Sequence, residues 1–162
     1  MNRNKCPKCG KLLIQPVGNP KSKILLVGDF PGFEEVRQGV CFVGRSGEVL
    51  QSELGRNGLQ FRDCRMTNLW QHAEDEKSCD IAWHINQMVK EFKGKTHVLL
   101  MGSSAVRTVV GEKKINYAGT RLTLPDFKGI RIWASPNPTS VFHSPVGEFR
   151  ISLERFVQDA LH

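Results

Sequence analysis

The chain has 162 residues, 40% of them hydrophobic, and 23 Lys+Arg against 16 Asp+Glu give it a formal charge of +7. That length suits one domain with a proper core, and the basic balance suits a polyanionic partner such as nucleic acid. No apolar run approaches the ~20 residues of a membrane span, and the polar start does not read as a secretory leader. A cytoplasmic, reducing location is therefore expected, where five cysteines serve as metal ligands or buried thiols rather than disulfides.

In chain order, Cys6-Pro7-Lys8-Cys9-Gly10 is a knuckle that puts two thiolates on one tight turn. It supplies half of a tetrahedral site; a redox pair is disfavoured because no thioredoxin-like helix follows. Ile24–Val27 is a short apolar run cut off by Gly28 and reads as a buried strand. The loop after it carries Asp29 at the strand tip, then Glu34 and Glu35, and ends in Phe42-Val43-Gly44-Arg45. In an open α/β sheet the loops leaving strand C-termini are where ligands sit. An acid, tight backbone and an aromatic lip make a pocket for a flat ligand, against the plainer reading of a βα turn with a solvated acid.

Ser46 can cap a helix to about Arg56, with Val49, Leu50 and Leu54 on one face. Cys64–Trp70 reads as a second strand ending at Asn68. Ser78 or Asp80 can cap a helix to about Phe92 with Ile81, Ile85, Met88 and Val89 inward. Lys95–Gly102 is a third strand, running into a helix from Ser103. A hairpin is expected over 115–124 with Gly119 in its turn. Gly129–Ala134 is the last strand, followed by Ser135-Pro-Asn-Pro-Thr-Ser140, and a helix over about Val146–Leu161 closes the chain. This alternation predicts an α/β fold: a single three-layer domain over residues 1–162, with a mainly parallel four-stranded central sheet flanked by helices and an N-terminal metal knuckle over 1–22.

The stretch GDFPGFEEVRQGVCFVGRSGEVL resembles the first motif of the family four, iron–sulfur uracil-DNA glycosylases. The matching positions are Gly28, Pro31, Gly32, Glu35, Gly39, Phe42, Val43, Gly44, Gly47 and Leu50; Asp29 stands where the family has Glu, and Cys41 where it has Pro. The likeness extends from about residue 6 to 160, taking in the lead-in QPVGNPKSKILLVGD and Met101-Gly102 with Ala105. At the second family motif, His-Pro-Ser gives way to Asn137-Pro138-Thr139-Ser140, which is similar to the mismatch-specific uracil and thymine glycosylases.

The resemblance implies a monofunctional DNA glycosylase that flips uracil, or a related pyrimidine, out of single- or double-stranded DNA and hydrolyses its N-glycosidic bond. Asp29 and Asn137 would be catalytic. Gly28, Phe30, Phe42 and Asn68 would bind the base, Phe42 by stacking and Asn68 by reading its edge. Arg45, Ser140, Val141, Phe142 and His143 would face DNA. Glu34 and Glu35 read as loop-organising or exposed. By family register Cys6, Cys9, His72 and Cys79 are the metal ligands, His72 replacing a cysteine, with Cys64 as a substitute if the register slips. Homology implies a [4Fe–4S] cluster, whereas a Cys₃His set by ligand type alone suits structural zinc. A monomer without membrane attachment is expected. The Asp29 and Asn137 departures keep open a catalytically weak, DNA-binding or uracil-sensing protein on the same scaffold.

Overall fold

The computed structural model describes residues 4–73, 79–111, 118–122, 124–143 and 147–162. The elements in chain order are β1 (Val17–Gly18), β2 (Ile24–Gly28), α1 (Phe33–Gln38), α2 (Arg45–Arg56), β3 (Arg65–Asn68), α3 (Ile81–Lys90), β4 (His97–Met101), α4 (Ser103–Val110), β5 (Thr120–Leu122), β6 (Arg131–Ser135) and α5 (Glu148–Leu161). Short 3₁₀ turns lie at Phe61–Asp63, Pro125–Phe127 and Pro138–Phe142.

The sheet has six strands in the order β1-β3-β2-β4-β6-β5, so the expected four-stranded count is corrected. The four expected strands form the parallel centre, β3-β2-β4-β6, and short antiparallel strands close each edge. The edge strands, of two and three residues, are too short to carry a periodic signal. Of the hairpin expected over 115–124, Gly119 turns with φ 71° into β5, and residues 115–117 and 123 lie outside the described ones.

Central strands are covered on both faces, which is why Leu25-Leu26-Val27 and Val98-Leu99-Leu100 read as unbroken apolar runs. On one face Leu26, Met66 and Leu99 pack against Leu50 and Leu54 of α2 and Phe149, Leu153, Phe156 and Val157 of α5. On the other, Leu25, Val27, Val98 and Leu100 meet Met88 of α3, Ala105 and Val106 of α4, and Trp70. The α5 residues recur at i, i+4, i+7 and i+8, one stripe of a helix.

Helix starts differ from expectation at one place. Gly44, not Ser46, is the N-cap of α2 and makes no side-chain cap bond. At α3, Asp80 caps as expected and accepts from the Ala82 N–H at 2.9 Å; Ser78 lies outside the described residues. Near its end α5 is tied back to the sheet through Asp159, whose carboxylate accepts from Trp133 Nε1 at 2.9 Å and Arg131 Nη1 at 2.5 Å.

Because Leu99 is fully buried in the central strand β4, Leu99→Ala should lower the unfolding free energy by about 2–5 kcal/mol. Chemical denaturation followed by tryptophan fluorescence measures it.

Candidate active site and metal centre

Glu35 organises the loop that joins β2 to α2. Its carboxylate is buried and accepts from three backbone N–H groups: Gly32 and Val43, each at 3.0 Å, and Gly44. A Cβ at Gly32 or Gly44 would press into that carboxylate, so both positions need glycine. Glu34 is on the surface, paired with Arg37. Burial pushes the Cys41 thiol up to about 12, and the Glu35 charge adds to that. Cys41 is therefore a neutral, space-filling thiol whose Sγ donates to Gln15 O at 3.4 Å.

The held loop delivers Phe42 with φ +54°, the one non-glycine residue with positive φ among those described. A conformation this costly persists only when its surroundings over-determine it. Gly47 in the first turn of α2 makes room, since a Cβ there would collide with the Phe42 carbonyl. The Phe42 ring tip and Asn68 Oδ1 both lie over the Gly28 Cα, where an added Cβ would strike the amide and come within 3.1 Å of Phe42 Cζ. Gly28 and Asn68 are paired across β2 and β3, so sheet register sets this juxtaposition. Asn68 is buried, with Nδ2 3.8 Å from Cys41 Sγ. A hollow of about 440 Å³ is lined by Cys41, Phe42, Val43, Gly47 and Met66 among others; Asp29 and Asn137 are not in its walls.

Asp29, one residue past β2, is 9% exposed and accepts the Ala105 N–H at 2.7 Å on Oδ1. It thus sits at the N-terminus of α4, where unpaired amides and the helix dipole favour a carboxylate. The fit depends on Gly102, whose φ of 116° and bare Cα admit the Asp29 carboxylate. Phe30 beside it is 47% exposed.

Past β6, Asn137 caps the Pro138–Phe142 turn: its Oδ1 accepts from Thr139 N at 3.0 Å and Thr139 Oγ1 at 2.9 Å. The cap leaves the amide Nδ2 directed elsewhere. Ser140 is half-buried and Val141 packs inward against the core, while Phe142 and His143 are exposed. Arg45, at the start of α2, lies over the Phe142 ring at 4.1 Å from its centroid, a cation–π contact that joins the two DNA-facing segments expected from sequence.

The structure gathers the expected ligands Cys6, Cys9, His72 and Cys79 and adds His84 of α3. Cys6 Sγ is 3.6 Å from Cys79 Sγ and 3.8 Å from His84 Nε2, Cys79 Sγ is 3.5 Å from His84 Nε2, and Cys9 Sγ is 3.3 Å from His72 Nε2. The two Nε2 atoms are 3.0 Å apart. The donor atoms of Cys6, His72, Cys79 and His84 all lie within 4.8 Å of one another. Burial resists ionisation of Cys6, but the N–H groups of Lys8 and Cys9 and the neighbouring thiols outweigh it and lower its pKa. Cys79 is pushed up to about 12 by burial and by the Cys6 and Cys9 sulfurs. Burial and the adjacent His72 push His84 down to about 4. Cys64 is elsewhere: fully buried in the core, raised to about 12 by burial, with Sγ 3.6 Å from Gln60 O.

The sequence pattern of the uracil DNA glycosylase superfamily matches residues 15–160. The chain belongs to that superfamily. Type-4 uracil-DNA glycosylases are among its similar relatives, in line with the loop motif. That of Archaeoglobus fulgidus is 42% identical over 53 residues, 33% of this chain and 27% of the relative. That of Pyrobaculum aerophilum is 36% identical over 70 residues, 42% and 36% of the two chains. That of Thermotoga maritima is 28% identical over 120 residues, 69% and 62%. In each case the chain spans less than two thirds of the relative's length.

Against the superfamily motif, the glycines at 28, 32, 44, 47 and 102 are explained by close approaches, and Glu35 by the amides it holds. His84 escaped the sequence reading. It falls three residues after Ile81 and four before Met88, on the inward stripe of α3, where a histidine reads as core. The only available sign was its place five residues after Cys79, on the helix that this cysteine leads into.

Glu35→Ala removes the acceptor from three backbone donors. It should cost about 2–4 kcal/mol and speed amide hydrogen exchange at Val43 and Gly44, read by hydrogen-exchange mass spectrometry.

Proposed function

We propose that the protein is a monofunctional uracil-DNA glycosylase. The observation that carries this reading is the meeting of Phe42 and Asn68 over Gly28, with Asp29 next in the chain at the start of α4 and Asn137 past the end of β6. Glycosidic cleavage requires the base to leave the stack and enter a site that reads it. Phe42 offers a ring on which a flipped pyrimidine stacks. The Asn68 amide offers Nδ2 to O4 and Oδ1 to N3–H of uracil, a pattern that cytosine presents in reverse.

As the C1′–N1 bond breaks, its electron pair goes to the departing base, and the sugar gains positive charge. The Asp29 carboxylate, held at the start of α4, favours that cation and positions the water whose oxygen bonds to C1′; that water gives up a proton to solvent, and the departing base takes one up. Asn137 Nδ2 would donate to O2 of the base, its Oδ1 being engaged by Thr139. Phe42 and Asn68 stay put because loop and sheet hold them, so little reorganisation accompanies bond cleavage.

Around this centre, Phe142 and His143 are the exposed tip that enters the duplex, with Arg45 bracing the ring and facing phosphate. The charge of +7 supports binding to DNA. The metal centre is read as structural, tying the N-terminal knuckle to α3. The family resemblance assigns it a [4Fe–4S] cluster, and the Cys/His donor set also suits zinc. A second reading, a binding or sensing protein, is favoured by the engagement of Asp29 Oδ1 with α4.

Asp29→Asn separates the two. On uracil-containing oligonucleotides, with alkali to cut abasic sites, the wild type should release base and the variant at least about 100-fold more slowly, with DNA binding within a few-fold. Equal binding and no release from either protein would establish the binding module. Phe142→Ala should lower turnover several-fold on duplex substrate and much less on single strands, in the same assay.

A further inference from the structure

We propose that the Cys/His centre holds one four-coordinate cation of the zinc class, with His84 Nε2 as a ligand. The argument rests first on hydrogen positions. His72 Nδ1 lies 2.7 Å from the Ala73 carbonyl, which can only accept, so Nδ1 carries the hydrogen and Nε2 a lone pair. His84 Nδ1 lies 2.7 Å from Gln71 Oε1. The Gln71 amide nitrogen is spent on the carbonyls of Asn68 at 2.9 Å and Leu69 at 3.0 Å, so the atom facing His84 is the oxygen. The Gln71 backbone N–H also points at Nδ1, from 3.2 Å, and the two contacts compete; the 2.7 Å approach of the amide oxygen is the closer and takes the Nδ1 hydrogen. His84 therefore also donates from Nδ1 and presents a lone pair at Nε2.

Two lone pairs face each other across 3.0 Å in a buried site walled by Trp70 and Trp83. That arrangement is repulsive unless positive charge sits against both. A proton shared by the two rings would satisfy that pair alone. A metal cation also satisfies the Cys6 and Cys79 sulfurs, 3.8 and 3.5 Å from His84 Nε2. Gln71 plays the part that outer partners of ligating histidines play elsewhere, fixing tautomer and ring direction.

Donor spacing decides the kind of centre. Tetrahedral bonds of about 2.3 Å to sulfur and 2.0–2.1 Å to nitrogen put S···S at roughly 3.8 Å, S···N at roughly 3.6 Å and N···N at roughly 3.3 Å. The triangle of Cys6, Cys79 and His84 has edges of 3.6, 3.8 and 3.5 Å. In a four-iron cube each thiolate binds its own iron, so the ligand sulfurs stand farther apart than when they share one cation. Cys6, His72, Cys79 and His84 place their donor atoms within 4.8 Å of one another, and Cys9 stands against His72 and the Cys6 and Cys79 sulfurs as the fifth donor.

The test is metal content and spectrum of the full chain, produced with iron and zinc both supplied and purified without oxygen. The expected result is one zinc per chain, no visible chromophore, and intense tetrahedral cobalt bands after Co²⁺ replacement. In chelator competition, His84→Ala should weaken zinc at least about 100-fold. His84→Cys should restore binding and strengthen the sulfur-to-cobalt charge-transfer band, which covers the case of an alanine variant that fails to fold. About four irons per chain with a visible chromophore, a wild type that binds neither metal, or His84→Ala with undiminished zinc affinity would each overturn the proposal. None of these readouts depends on base release.

Discussion

The loop between β2 and α2 depends on a single buried carboxylate. Glu35 gathers the amides of Gly32, Val43 and Gly44, and so fixes the backbone on either side of Phe42, which stands at φ +54°. Ordering a flexible loop costs conformational entropy, and here that cost is met during folding. Placement then passes from the loop to the sheet: Phe42 meets Asn68 over Gly28 because β2 and β3 are in register, and Asp29 meets α4 because β2 neighbours β4. Backbone spacing is thereby converted into the spacing of side chains at one end of the sheet.

The second organising device is the centre built by the knuckle, the segment after β3 and α3. Ile14 N–H bonds Gln71 O at 2.6 Å, so the lead-in chain and the His84-orienting residue are tied directly together. Two short pieces of irregular chain are held by their donors rather than by a core of their own, which is the usual reason for such a site in a small element.

Much of this was legible in the sequence, and the exceptions have physical causes. The inner strands were plain because strands covered on both faces must be apolar throughout, as Leu25–Val27 and Val98–Leu100 are. Helix α1 was not, being six residues among glycines and prolines whose stability comes from Glu35 rather than from periodicity. The start of α2 was placed on Ser46 by the preference for hydroxyl caps, whereas the loop's amides are satisfied by Glu35 and Gly44 takes the cap. Phe42 is legible as an aromatic at the lip of the loop, whereas the base-reading place of Asn68 comes from the motif resemblance. Sequence alone could not say that they share Gly28, since that is a fact of strand pairing. His84 was hidden because a ligand on the inward stripe of a helix carries the same spacing as its apolar neighbours Ile81 and Met88.

A parallel sheet has two unlike ends. Asp29, Asn68, Gly102 and Ser135 all stand where strands finish, while the turns at Gly94 and Gly129 lie where β4 and β6 begin, with open space around each glycine Cα. The molecule thus has a natural handle. A tether or dye placed at either turn sits at the end of the sheet away from Asp29 and Asn68, so a surface-bound or labelled form would present those strand ends outward.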